Sequence, residues 1–261
     1  MAARPRTAQP ESWDIGAAEY NGNLAPLFRV YAADALALTG MTRGTRVLDV
    51  ASGPGTLALE AARLGAEVVA TDFSPGMIAQ LRGRIAEAGL TNITAEVMDG
   101  QSLTLPDASF DAAFSMFGLI FFPDRRAGFR ELRRVLRPGG IACVSDWSGP
   151  GRAPGGPIFP QAMRRAFPDR PPPRIEAPRP LEGEMRAAGF TSVQMQTIAH
   201  TWEIPSPDAH WKTLLLQPQL SSFPEGELRA LRAALADIAR ERFGDGPVQL
   251  ETEANIAIGV A

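Results

Sequence analysis

The sequence predicts an α/β protein built on a doubly wound, mostly parallel sheet with helices on both faces. Two observations carry this. Short apolar runs rich in valine, alanine and isoleucine, ending in acidic or glycine residues, alternate with longer helical patterns from Arg46 to Asp146, which implies right-handed crossovers between parallel strands. The run Arg46–Val50 leads through Ala51-Ser52-Gly53-Pro54-Gly55 into the Ala-rich 56–62, which reads as buried strand, tight loop and helix. In such a sheet the first strand-to-helix turn marks the topological switch point, where a ligand binds.

Strands are expected near 46–51, 67–72, 93–98, 110–115 and 141–146. Before them, Met1–Ser12 is polar and proline-containing, and helical pieces follow near Trp13–Tyr20 and from Pro26 to about Leu38, closed by Gly40. Ser74 and Pro75 supply an N-cap and a proline at the first helical position, so a helix to about Ala88 starts directly after Asp72. Another spans Asp124–Leu136. Beyond Asp146 the stretch 147–157 and the proline-rich 168–180 exclude regular structure and read as lid loops around a short helix at 158–167. A helix near 181–188, a strand over 192–203, helices around 208–217 and 224–243, and a last strand at 248–260 complete the chain. The expected organisation is a tail with cap helices at 1–40, a binding core at 41–146, a lid at 147–180, and the rest of the sheet at 181–261 with a helical insertion near 205–243.

Asp49 and Pro54 narrow the ligand. Gly53-x-Gly55-x-x-Ala58 satisfies the relaxed dinucleotide pattern. A carboxylate at the strand end repels a pyrophosphate, however, and proline removes an amide donor an anion needs. A carboxylate beside a glycine loop suits a cation instead, such as the ammonium and sulfonium of S-adenosylmethionine.

Four segments in register resemble class I S-adenosylmethionine-dependent methyltransferases. Val47-Leu48-Asp49-Val50-Ala51-Ser52-Gly53-Pro54-Gly55 resembles the first motif, and Val68–Met77 the second-strand motif with its ribose-binding acid. Asp99–Leu103 with Phe110–Ser115 resembles the adenine-binding segment and fourth strand, and Leu136-Arg137-Pro138-Gly139-Gly140 the turn before the fifth. The resemblance covers about 40–150 and is nearest to the branch that methylates ubiquinone precursors and other small molecules. It implies a Rossmann-like, seven-stranded sheet of order 3-2-1-4-5-7-6 with an antiparallel last strand and a helical cap. It also implies S-adenosyl-L-methionine as cofactor and S-adenosyl-L-homocysteine as product.

The expected cofactor residues are Asp49, Ala51, Ser52, Gly53 and Gly55 in the first loop, and Asp72, Phe73 and Met77 after the second strand. Asp99, Gly100 and Gln101 belong to the adenine segment, Ser115, Met116 and Phe117 to the wall after the fourth strand, and Tyr20 to the methionine end. Phe121, Trp147, Phe159 and Trp211 are expected to form an apolar acceptor pocket. Methyl transfer requires no catalytic triad; His200 and His210 are the candidate bases, and a structural role competes for each.

Composition excludes other classes. The 261 residues carry a net charge of −3, without the basic excess a nucleic-acid binder shows. No apolar run approaches the ~20 residues of a membrane span, and the N-terminus lacks the apolar core of a secretory signal, so a cytoplasmic protein is expected. Two separated histidines and one cysteine, Cys143, make no metal site, and Cys143 in its apolar run reads as core filler. The expected partner is a small-molecule acceptor, with no nucleic acid and no membrane, for a monomer or homodimer. An S-adenosylmethionine-binding protein that does not methylate, and an NAD-dependent oxidoreductase, are the alternatives.

Overall fold

The computed structural model describes residues 9–14, 24–149, 151–170, 180–215, 220 and 223–261. They fall into two compact units. The first comprises Met1–Asp146, Pro180–Gln196 and Asn255–Ala261; the second comprises 147–179 and 197–254.

The first unit begins with α1 (Glu11–Asp14) and α2 (Ala25–Thr39), the latter opened by Pro26 and closed by Gly40 at φ 61°. There follow β1 (Arg46–Val50), α3 (Thr56–Arg63), β2 (Glu67–Asp72), α4 (Pro75–Ala88), β3 (Ile93–Val97), β4 (Phe110–Met116), α5 (Arg125–Val135) and β5 (Leu136–Trp147). Strand β1 is buried from its second residue on and lies between β2 and β4, parallel to both; β2–β3 and β4–β5 are also parallel. Such strands, covered on both faces, read as continuous apolar runs. The helix starts obey local chemistry: Ser74 Oγ accepts the Met77 N–H at 3.0 Å and Asp124 Oδ1 accepts the Ala127 N–H at 3.0 Å.

The remaining elements are α6 (Ile158–Ala166), α7 (Leu181–Ala187), β6 (Thr191–Ile204), α8 (Pro207–Leu215), α9 (Glu225–Phe243) and β7 (Val248–Val260). The sheet has seven strands in the order β3-β2-β1-β4-β5-β7-β6. Gly139 and Gly140 on β5 bond to Ala261 just beyond β7, whereas Ser148 bonds to Glu253, so β7 runs antiparallel to β5. The order reverses between β1 and β4, which opens a crevice outside their carboxyl ends.

Two elements differ from expectation. Strand β5 begins at Leu136 rather than near 141, because Leu136 pairs with Phe110 of β4 and Ala261 supplies the hydrogen bonds that keep Gly139 and Gly140 in the ladder. The helix expected at Trp13–Tyr20 is described only as Glu11–Asp14; residues 15–20 lie outside the described residues.

The core of the first unit gathers Leu48, Val50, Phe110, Phe129, Leu132 and Val144 between sheet and helices. At the amino ends of the strands, Asp111 accepts the Arg46 N–H at 2.8 Å and pairs with Arg137 at 2.5 Å, joining β1, β4 and β5. In the second unit α9 turns Leu231, Ala234, Leu235 and Ile238 inward and packs on α6. Arg165 forks onto Glu241 across that seam at 2.7 and 2.9 Å.

Candidate functional site

The carboxyl ends of β1 to β4 bring most of the expected cofactor residues to one edge of the sheet. Asp49, next to last in β1, is 2% exposed. Its Oδ2 has no hydrogen-bond partner. Burial pushes its carboxyl up to about 8; the Ala58 amide in the first turn of α3 opposes this and the nearby Asp72 charge adds to it. A wholly buried, half-satisfied carboxyl costs stability in the empty protein and is the group a bound cation would satisfy.

The loop after Asp49 is held open by backbone conformation. Ala51 sits at φ 56°, a left-handed state that a non-glycine residue rarely adopts. Gly55 lies at φ 83°, and a Cβ there would run into the Leu81 side chain. The Gly55 N–H closes on Ser52 O at 2.9 Å and the Ser52 N–H on Thr71 O at 3.0 Å.

Asp72 ends β2. Its Oδ2 accepts the Gly53 N–H at 2.8 Å and its Oδ1 accepts the Ser74 N–H at 2.9 Å. The carboxylate therefore clamps the glycine loop to the start of α4, and each oxygen keeps a lone pair for a further donor. Burial raises its pKa to about 6, against the Ser74 and Gly53 amides, with the Asp14 charge a smaller raising influence. Phe73 is half-buried, and Met77 is buried in the first turn of α4.

Asp99 is exposed and accepts the Gln101 backbone and side-chain N–H groups at 2.9 and 3.0 Å. Gln101 Oε1 accepts the Asp124 N–H at 2.8 Å, so this loop is tied to the start of α5. Gly100 is buried between Val50 and Phe122, where a Cβ would stand 2.6 Å from each. Ser115 is wholly buried with its Oγ unpartnered, and Met116 is half-buried. Phe117 is left-handed at φ 56° and donates its N–H to Ser145 Oγ at 2.9 Å. Its ring lies 5.2 Å from Phe28 and 5.4 Å from Tyr31, both on α2. Gly118 follows because a Cβ there would stand 2.5 Å from the Ala51 Cβ and 2.8 Å from Ser115 Oγ.

Phe121 meets Trp13 edge-on at 4.7 Å, so α1 reaches the loop after β4. Asp14 Oδ1 accepts from Ser74 Oγ at 2.5 Å and from the Gly76 N–H at 2.9 Å. Sequence reasoning missed Asp14, Arg125 and Ser145; no motif marks them, since each acts through a partner distant in sequence. Tyr20 lies outside the described residues.

The other expected residues belong to the second unit. Trp147 and Phe159 are half-buried. Trp211 is buried and lines a cavity of about 310 Å³ rimmed by Asp208, Arg232, Arg240 and Asp245. His210 is wholly buried with Nε2 3.3 Å from the Pro154 carbonyl and Nδ1 unpartnered; burial lowers its pKa to about 4. His200 is half-buried on β6. Cys143 is buried in β5, its thiol pushed up to about 12 by burial, which makes it unreactive. Among the described residues no group of three or more His, Cys, Asp and Glu could hold a metal ion.

A doubly wound sheet whose switch point combines a glycine loop, an unsatisfied carboxyl and a second carboxyl one strand away has the form of a ligand-binding α/β core. Residues 47–140 match the methyltransferase domain family. A demethylmenaquinone methyltransferase of Parafrankia sp. is 36% identical over 171 residues, 60% of this chain and 66% of that protein. An uncharacterised protein of Mycobacterium tuberculosis is 40% identical over 125 residues, 48% and 44% of the two chains. The chain spans about half the length of the curated relatives it matches first, 44% and 52%. The crystal structure of the YcgJ protein from Bacillus subtilis shares the fold at TM-score 0.59 and 21% identity, over 88% of this chain and 97% of that one. Residues 47–140 thus match a methyltransferase domain, in agreement with the resemblance to the class I S-adenosylmethionine-dependent methyltransferases read from the sequence. S-adenosyl-L-methionine is the cofactor of that class.

Proposed function

We propose that the chain transfers a methyl group from S-adenosyl-L-methionine to a small, aromatic or largely apolar metabolite and releases S-adenosyl-L-homocysteine. The observation that carries this reading is the buried Asp49 carboxyl with one unpartnered oxygen beside the glycine loop. That group repels phosphate and satisfies an ammonium. Asp72 would hold the ribose hydroxyls on its remaining lone pairs, Asp99 and Gln101 the adenine edge, and Ser115 Oγ a further polar atom of the ligand.

When bound, the cofactor would supply a methyl carbon activated by its sulfonium, open to in-line attack by an acceptor lone pair with the carbon–sulfur electrons leaving on sulfur as a neutral thioether. The protein's part is alignment and exclusion of water. An acceptor proton leaves with the aid of a base only where the acceptor is not already ionised. His210, wholly buried and held neutral at pH 7, fits a structural role better than that of a base, which leaves His200 as the residue to test. Phe121, Trp147, Phe159 and Trp211 are assigned to the acceptor side, and the demethylmenaquinone methyltransferases among the relatives support an aromatic acceptor.

The test is calorimetric titration with S-adenosylmethionine, S-adenosylhomocysteine and NAD, with Asp72→Ala alongside. Micromolar binding of the two adenosyl ligands, weakened by about 1–3 kcal/mol in the variant, supports the reading. Binding of NAD alone, or of none of the three, overturns it. A phenol and quinol screen with product analysis then separates methyl transfer from a cofactor held without turnover.

A further inference from the structure

Arg125 occupies the first position of α5, where the helix dipole disfavours a cation. A residue placed against its local preference points to a tertiary demand. The demand is visible: the side chain is 4% exposed and serves two carboxylates at once. Nε and Nη2 fork onto Glu184 of α7 at 3.1 and 2.7 Å, and Nη1 donates to Asp146 Oδ2 at 3.2 Å. The guanidinium also lies 5.8 Å from the Phe129 ring centre. Asp146 stands near the carboxyl end of β5, directly after Ser145, whose Oγ accepts the N–H of left-handed Phe117. Met116 pairs with Ser145 in the ladder.

We propose that Arg125 is a positioning residue for the cofactor crevice: by pinning Asp146 to α7 it fixes Ser145, and Ser145 holds Phe117 in the conformation that shapes the crevice wall. A left-handed non-glycine residue persists only where its surroundings over-determine it, and the Ser145 hydroxyl is one such determinant. Lysine cannot replace this arginine, because a single ammonium cannot fork onto Glu184 and reach Asp146 together. The inference rests on the methyltransferase reading of the crevice.

The test is a double-mutant cycle on S-adenosylhomocysteine affinity, measured by calorimetry well below each melting temperature. Arg125→Lys keeps the charge and so the fold, and Ser145→Ala removes the acceptor for Phe117. Each is expected to weaken binding about tenfold, and the combined variant by far less than about a hundredfold, since both break one chain of contacts. A purely structural Arg125 lowers the melting temperature and leaves affinity at the wild-type value. That result, or losses that multiply in the combined variant, overturns the proposal. A wild-type protein that does not bind S-adenosylhomocysteine overturns the cofactor reading itself, and the inference falls with it.

Discussion

Asp49 sets stability and binding against each other. In the unfolded chain its carboxyl and that of Asp72 ionise near the ordinary 3.8, whereas in the fold they ionise near 8 and 6. Between those values the folded state holds more protons than the unfolded, so their contribution to stability is complete below about pH 4. It is lost as pH rises through 6 for Asp72 and through 8 for Asp49. Asp49→Asn should therefore raise the melting temperature of the ligand-free protein at pH 8 while weakening S-adenosylmethionine by about 1.5–3 kcal/mol, the worth of a charged hydrogen bond. Binding to the wild type at pH 6–7 should release a proton, as the cation draws Asp49 into its ionised form. Titrations in buffers of different ionisation enthalpy measure it, and equal apparent enthalpies would contradict the assignment. Gly55→Ala tests the loop. At φ 83° with Leu81 in the way of a Cβ, it should cost about 1–3 kcal/mol by denaturant titration.

At the scale of elements, α1 is fastened to α4 by one side chain. Asp14 satisfies Ser74 Oγ and the Gly76 N–H at a helix start, while Trp13 covers Phe121. Asp14→Ala should cost about 0.5–2 kcal/mol, the range for a lost helix cap. It should also speed amide exchange at Gly76 and cofactor release in stopped flow; an unchanged release rate would separate α1 from the crevice. Helix α9 shows the opposite balance. Its grip on α6 rests on the apolar face, so Leu235→Ala, at a fully buried position, should cost about 2–5 kcal/mol. Glu241→Gln, which breaks a fully exposed ion pair with Arg165, should leave the denaturation midpoint unchanged.

Over the whole molecule, the expected cofactor residues of the sheet edge lie in the first unit, and Trp147, Phe159, Trp211 and both histidines in the second. Saturating S-adenosylmethionine should therefore slow amide exchange in β1, β2 and β4 by an amount that follows ligand excess over its dissociation constant. Exchange in α9 should change far less. Equal protection of both units would place the ligand elsewhere.

The alternation of strands and helices, the crevice after β1 and the placing of Asp49 and Asp72 at strand ends were legible in the sequence because each depends on short-range signals, whereas the strand order was implied by the family resemblance alone. An apolar run, a glycine loop, or a Ser-Pro helix start lies within a few residues of the group it positions. What only the tertiary structure decided depends on partners far along the chain. Phe110 pairs with Leu136 and Ala261 bonds to Gly139 and Gly140, which together start β5 at Leu136; Asp14 caps a helix 60 residues away in sequence; Arg125 joins Glu184 and Asp146 across 59 and 21 residues. Local periodicity carries no record of such contacts, since the chain must fold before the hydrogen bonds that define them exist.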